Sequence, residues 1–274
     1  MTKEPETLRP EVQRWIESRA DAPPSAQPQL SIVIPAYNEQ WRIPSTLIDV
    51  IDYFARLNLP YEVIVVDDGS RDQTGHVIEK FQNITPGLRL IRLAENRGKG
   101  HAVRVGVLNA RGKRILFADA DGATPIAEIE RLVKAIDQGS DVAIGSRALS
   151  SEDTKVITRW YRKYLGRVFN LMVNWWIVPE IADTQCGFKL FTAEAADFIF
   201  KRQRCDGFAF DVELLYLARR SGMRIAEVPV NWTNVPGSKV NLAVDSILMF
   251  LEILKIPLRH RTVARGAYMK ERPS

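Results

Sequence analysis

Asp119 and Asp121, on alternate residues, close the apolar run ILFA (115–118) and stand just before Gly122. Two carboxylates placed past the end of a buried strand can share a divalent cation that also grips a diphosphate, because hard oxygen ligands suit Mg2+ or Mn2+. Acidic turns occur in proteins of every class, so the spacing alone says little. The preceding strand and the glycine turn give it weight. Two earlier apolar runs end in comparable fashion, one in Pro35-Ala36-Tyr37-Asn38-Glu39 and one in Asp67-Asp68-Gly69-Ser70. Glu39, Asp67, Asp68 and Tyr37 can receive the N–H and hydroxyl groups of a nucleoside, and Gly69 permits close backbone approach. The same residue types also make turns and helix caps. Lys99, in NRGKG (96–100), stands where a helix would open and suits an anion, although a plain tight turn explains the glycines as well. A dinucleotide fold would carry that turn after its first strand, not its third.

Positioning these residues requires strands that end together. Val-, Ile- and Leu-rich runs recur at 30–35, 62–67, 88–93, 114–119 and 141–146, with helical patterns near 44–57, 73–82, 98–110 and 126–137 between them. This alternation predicts an α/β fold with a mainly parallel sheet covered on both faces. Ligands bind beyond the carboxyl ends of such strands, so Asp67, Asp68, Asp119, Asp121, Ser146 and Arg147 are expected to line one crevice. After Ser150 the pattern becomes a long helix-prone segment (154–178) carrying Trp160, Trp175 and Trp176 among basic residues. A loop, DTQCGFKLF (183–191), a helix (210–220) and a strand (225–230) follow. No internal repeat is present. The organisation expected is an extension and Pro/Ser-rich linker (1–29), one domain (30–240), and an amphipathic, basic C-terminal segment (241–274).

The chain has 274 residues, 46% hydrophobic and 26% charged, which are the proportions of an ordinary globular protein. Its two cysteines, Cys186 and Cys205, fit neither a disulfide framework nor a zinc spacing. The charged start, MTKEPETLRPEVQRW, lacks a signal-peptide core, and a cytoplasmic location is expected. A formal charge of +5 favours anionic partners, with basic residues gathered at Arg159, Arg162, Lys163 and Arg167 and again over 255–272. Nucleic acid is one reading, but no nucleic-acid motif accompanies them, and a phosphate-bearing substrate or an acidic membrane fits at least as well. The apolar stretch 242–258 carries Asp245, Glu252 and Lys255 and is shorter than the about 20 apolar residues of a membrane span. Leu242, Ile247, Phe250, Leu251, Leu254 and Leu258 fall near one helical face, as in a helix lying on a membrane surface or packing on the domain.

Taken together, residues from about Leu30 to Val240 resemble the family 2 glycosyltransferases of GT-A fold, in particular the dolichyl- and polyprenyl-phosphate glycosyltransferases. The resemblance implies that PAYNE and DDGS, with Pro35, Tyr37, Glu39, Asp67, Asp68, Asp119 and Ala120, hold a nucleotide-diphospho-sugar, and that Asp119 and Asp121 bind its metal. It also implies that Arg147 of GSR and Arg167 of GRVFN bind an acceptor phosphate. DTQCGFKLF, GFAFDVELLYLA and EVPVNW followed by GSKV are similar to the glucosyl branch, which points to UDP-glucose; a GDP-mannose enzyme and a transferase with a saccharide acceptor are the alternatives. Two departures from the mannosyl branch are Ala123, where those enzymes often carry a third metal ligand, and Asn234, where they carry Arg. Eukaryotic glucosyl relatives have an N-terminal membrane helix with no counterpart in this sequence. A non-catalytic membrane-surface protein is a more distant reading.

A phosphate monoester, with a second pKa near about 6, is already a nucleophile at neutral pH and needs little general-base help. Catalysis then rests on positioning and charge stabilisation. Arg147, Arg167 and Lys189 are expected to hold the acceptor phosphate, Asp183 to orient Lys189 or sugar hydroxyls, and Lys239 of PGSKV to close over the diphosphate. Direct attack inverts the anomeric centre. Asp211 is a further acidic candidate, Glu213 stays open between an orienting and a structural role, and His76, His101 and His260 are assigned none.

Overall fold

A computed structural model describes residues 10–17, 28–57, 59–151, 153–157, 177–235 and 244–271. The first strand, β1 (Leu30–Ala36), is buried along its whole length, as β-branched residues are when a parallel strand is covered on both faces. It pairs in parallel with β2 (Tyr61–Asp67) and β4 (Arg114–Ala118), and β2 pairs in parallel with β3 (Leu88–Arg92). The crossovers are α2 (Ile43–Leu57), α3 (Thr74–Gln82) and α4 (Lys99–Leu108). A 3-10 turn, Ile126–Glu128, leads into α5 (Ile129–Asp137) and β5 (Val142–Ser146).

The segment DTQCGFKLF departs from the loop expected of it: its second half is the strand β7 (Phe188–Thr192), which runs antiparallel between β4 and β5. Lys189 interrupts the apolar pattern and hides the strand from a reading by periodicity. Yet this lysine is fully buried. β7 leads directly into α6 (Ala193–Arg202), whose first turn is capped by Thr192 Oγ1 accepting the N–H of Ala195 at 3.2 Å. After α7 (Phe210–Arg220), β8 (Ile225–Pro229) pairs in parallel with β5. Among the described residues the large sheet therefore has seven strands in the order β3-β2-β1-β4-β7-β5-β8. A two-stranded parallel sheet joins β6 (Val156–Ile157) to β9 (Trp232–Thr233), so the start of the segment read as helix-prone is extended. Residues 158–176, with Trp160, Trp175 and Trp176, lie outside the described residues.

Apolar layers cover both faces of the sheet. One gathers α4, α6 and α7 with Phe117, Phe191 and Phe210; the other gathers α2, α3 and α5 with Phe54, Phe81 and Phe188. The chain ends add to both. In α1 (Pro10–Glu17), Val12 is buried and Trp15 donates to both carboxylate oxygens of Asp52 at 3.2 Å, so part of the N-terminal extension packs on the domain. In α8 (Val244–Arg259), Ile253 and Ile256 are buried, as is Tyr268 of α9 (Ala267–Glu271). Leu251, Leu254 and Leu258 of α8 remain exposed. Thus α8 presents one apolar face to the domain and another outward.

Candidate active site

The carboxyl ends of β1, β2, β4 and β5 lie along one edge of the sheet, where the crevice is expected, and the loops that follow β1 and β2 are stitched to each other. Asn38, at φ 53°, donates its backbone N–H to Ser70 Oγ at 2.9 Å and accepts that of Arg71 on Oδ1 at 2.7 Å. The N–H of Glu39 reaches Thr74 Oγ1 at 2.6 Å. Pro35 and Glu39 are buried and Tyr37 half-buried. Asp67 accepts the N–H of Ser70 at 3.0 Å, while Asp68 accepts those of Arg97 and Gly98, each at 2.9 Å. Burial raises the pKa of Asp68, and these two amides work against that rise. Asp68 thereby fixes the loop that opens α4, and with it Lys99.

Lys99 is the residue this arrangement delivers. Its Nζ lies 2.7 Å from Asp119 Oδ1 and 5.3 Å from the Phe117 ring centroid. Burial opposes its charge, but Asp119 and Asp211 outweigh burial and hold its pKa above the ordinary lysine value. Asp119 itself stands in space that only glycine leaves open, since a Cβ at Gly187 would fall 2.0 Å from its Oδ2. Asp121 accepts the N–H of Ala123 at 3.0 Å and faces Arg42 Nη1 at 3.9 Å. Ala120, between them, is buried, and its carbonyl accepts from Thr46 at 2.8 Å. Arg42 went unnoticed in the sequence. It is gripped by Glu39 through Nε at 2.6 Å and through Nη2, an i,i+3 pair legible as spacing but not as function.

Asp121 has its pKa raised by burial and then by the charge of Asp119. Two carboxylates that repel each other in a crevice, countered by one lysine and one arginine, fit a divalent cation, which would relieve the repulsion. Among the described residues no cluster of three or more His, Cys, Asp or Glu could hold a metal. Asp119 and Asp121 would do so together with oxygens from phosphate or water.

Across β7 lies a second set of charges. Arg147, just past β5, makes a two-pronged pair with Asp183, from Nε at 2.7 Å and Nη2 at 2.8 Å, and its backbone N–H adds a third contact at 2.9 Å. Burial works against the charge on Asp183, and Arg147 overcomes it, so its pKa falls below the ordinary aspartate value. The Nη1 group takes no part in this pair, and the guanidinium carbon stands 5.6 Å from the Trp232 ring centroid. Glu227 of β8 holds the loop from behind, accepting the N–H groups of Ala182 and Asp183 at 2.9 and 2.8 Å.

Lys189 points into the protein beneath the crevice. It is fully buried, donates to the Cys186 carbonyl at 2.7 Å and pairs with Asp211. The pairing expected for it was with Asp183, which Arg147 occupies. Cys186 and Cys205 are buried, and burial pushes both thiols up to about 12, away from nucleophilic use. Glu213 and His260, left open and unassigned from sequence, form a buried pair of their own. Arg167 and Lys239 lie outside the described residues.

The model of a family described as glycosyl transferase family 2 matches residues 31–200. The human dolichyl-phosphate beta-glucosyltransferase is 41% identical over 249 residues, covering 86% of this chain and 77% of that protein. Its Saccharomyces cerevisiae namesake is also 41% identical over 249 residues, covering 84% and 75%. In fold the chain is similar to the glucosyl-3-phosphoglycerate synthase of Mycobacterium tuberculosis, solved with Mn2+ and UDP-glucose. The TM-score is 0.60 at 19% identity, over 90% of this chain and 84% of that one.

Proposed function

We propose that this chain, which belongs to glycosyl transferase family 2, transfers glucose from UDP-glucose to dolichyl phosphate or a related polyprenyl phosphate, inverting the anomeric centre. The observation that carries this reading is the arrangement of the crevice, with paired carboxylates at the end of β4 facing an arginine at the end of β5. The two relatives named as dolichyl-phosphate beta-glucosyltransferases, aligned over most of the chain, support the sugar and the acceptor.

In this reading Asp119 and Asp121 would hold Mg2+ or Mn2+, which when bound would supply positive charge to the leaving nucleotide diphosphate. The solved neighbour with Mn2+ and UDP-glucose supports a metal of this class. Lys99 and Arg42 add charge on the same side, and PAYNE and DDGS shape the nucleoside pocket. Asp183 locks the guanidinium of Arg147, leaving Nη1 for the acceptor phosphate. Lys189 acts from below through Asp211, by fixing the crevice floor. Arg167 and Lys239 keep the acceptor and diphosphate roles that the resemblance implies. The phosphate oxygen attacks without a dedicated base, so orientation is the main contribution of the protein.

Such an acceptor lives in a membrane, and the reading places the chain at its cytoplasmic face. Among the described residues no helix is long and apolar enough to cross one. The outward ridge of Leu251, Leu254 and Leu258, followed by Arg261, Arg265 and Lys270, suits a helix seated among anionic headgroups.

A screen of radiolabelled UDP- and GDP-sugars against a short polyprenyl phosphate, with Mg2+ or Mn2+, tests donor, acceptor and metal at once. Glucosyl lipid formed from UDP-glucose is the expected product. Preference for GDP-mannose, or transfer that ignores the lipid phosphate, would overturn it.

A further inference from the structure

Lys99 reaches Asp119 because the first turn of α4 is clamped from outside the crevice. The clamp is the loop between α6 and α7. The Asp206 carbonyl accepts the N–H of His101 at 3.1 Å, and Gln203 Nε2 bridges the carbonyls of Gly100 and Cys205, each at 2.9 Å. Contact is so close that a Cβ at Gly98 or Gly100 would come within 2.5 Å of the Asp206 or Cys205 carbonyl oxygen. Gly98 also sits at φ 107°, a conformation open to glycine.

What fixes the clamp is Glu213 of α7. Its carboxylate accepts the N–H of Cys205 at 2.8 Å and that of Arg204 at 3.1 Å, and its Oε1 lies 2.6 Å from His260 Nε2. A carboxylate already taking two amides is an acceptor, so His260 donates. Glu213 and His260 are 0% and 2% exposed, and polar side chains reach that degree of burial when they are partnered. Arg259, the neighbour of His260, adds Nη1 to Cys205 Sγ at 3.2 Å while pairing with Glu252 of α8 at 2.7 Å. The end of α8 therefore holds the same loop directly through Arg259 and indirectly through His260 and Glu213.

We propose that Glu213 and His260 are positioning residues for the metal-diphosphate side of the crevice: through the 203–206 loop they set where Lys99 stands beside Asp119, although neither touches the crevice. The pair transmits the placement of α8 to the donor side and leaves Arg147 and Asp183 untouched. The proposal rests on the functional reading above only in calling that side the donor side.

The test uses the full chain with His260→Leu, which removes the donor, and His260→Gln, whose amide nitrogen can stand in for Nε2. UDP affinity is measured by calorimetry with and without Mn2+, and amide hydrogen exchange is followed over 97–101 without nucleotide. Expected for His260→Leu are a rise in the UDP dissociation constant of about tenfold, faster exchange confined to 97–101 and 203–206, and an unchanged Michaelis constant for lipid phosphate. His260→Gln should recover most of the affinity. Should His260→Leu fail to fold, Gly100→Ala pushes the clamp away directly and should give the same donor-side loss. Wild-type UDP affinity and exchange in a folded His260→Leu variant would overturn the proposal, as would equal losses on the donor and acceptor sides. If the wild-type chain binds no UDP, the functional reading fails, while exchange at 97–101 still decides whether the pair positions Lys99.

Discussion

The two walls of the crevice hold their carboxylates by different means. On the wall built from β1, β2 and β4, Asp67, Asp68 and Asp121 each accept backbone N–H groups from nearby turns, and Asp119, which is paired with Lys99, is only half-buried. On the wall built from β5, β7 and α7, Asp183 and Asp211 are held by the side-chain charges of Arg147 and Lys189. An amide stays when a side chain is replaced, whereas a buried cation removed leaves its partner charge stranded. The first wall should therefore lose activity without losing stability, and the second should lose both.

The sharpest break of this contrast is at Lys189→Met. It strands Asp211 in the interior and should cost about 3–5 kcal/mol of unfolding free energy. Combining it with Asp211→Leu should recover part of that loss in denaturant titrations; a single variant as stable as wild type would erase the distinction between the walls. Next in size is Asp121→Ala, expected to lower turnover by about 10²–10³ or more while the thermal midpoint stays within a few degrees. Asp119→Ala should be comparably severe, and unchanged turnover of Asp121→Ala at saturating metal would remove the carboxylate pair from the mechanism.

Arg147→Ala should raise the Michaelis constant for lipid phosphate by about ten- to a hundredfold, from a charge-assisted contact of roughly 1.5–3 kcal/mol. Donor affinity should hold; its loss instead would exchange the roles of the walls. The smallest effect concerns acid. Because the folded pKa of Asp183 is lowered, its pair with Arg147 stabilises fully above the ordinary aspartate value of about 4 and fades as pH falls through the lowered one. Asp183→Asn should flatten that acid limb in urea titrations, and an unaltered limb would mean that the pair contributes nothing to it.

The same contrast explains what was legible. PAYNE, DDGS and the Asp119-Ala120-Asp121 turn declare themselves because strand, turn and carboxylate are adjacent in the chain. The partnerships of Arg147 with Asp183, Lys189 with Asp211 and Glu213 with His260 span 36, 22 and 47 residues, and no local pattern encodes them. β7 was hidden for a related reason, since a lysine in mid-strand breaks the apolar alternation, and Asp211 and the Cys186 carbonyl, which make its burial tolerable, are not legible from its neighbours. The exposed side of α8 could be read from helical spacing; its buried side, with Ile253 and Ile256, needed the domain to be present.

The place of β7 also acts as a ruler. Strands in a sheet are spaced about 4.8 Å apart by their hydrogen bonds, so one strand inserted between β4 and β5 sets their ends about 10 Å apart. The gap between Asp119 and Asp121 on one side and Arg147 on the other is thus a property of the backbone. Exchanging side chains can change what binds at either end, but the span that the reacting groups must bridge stays the same unless a strand is lost.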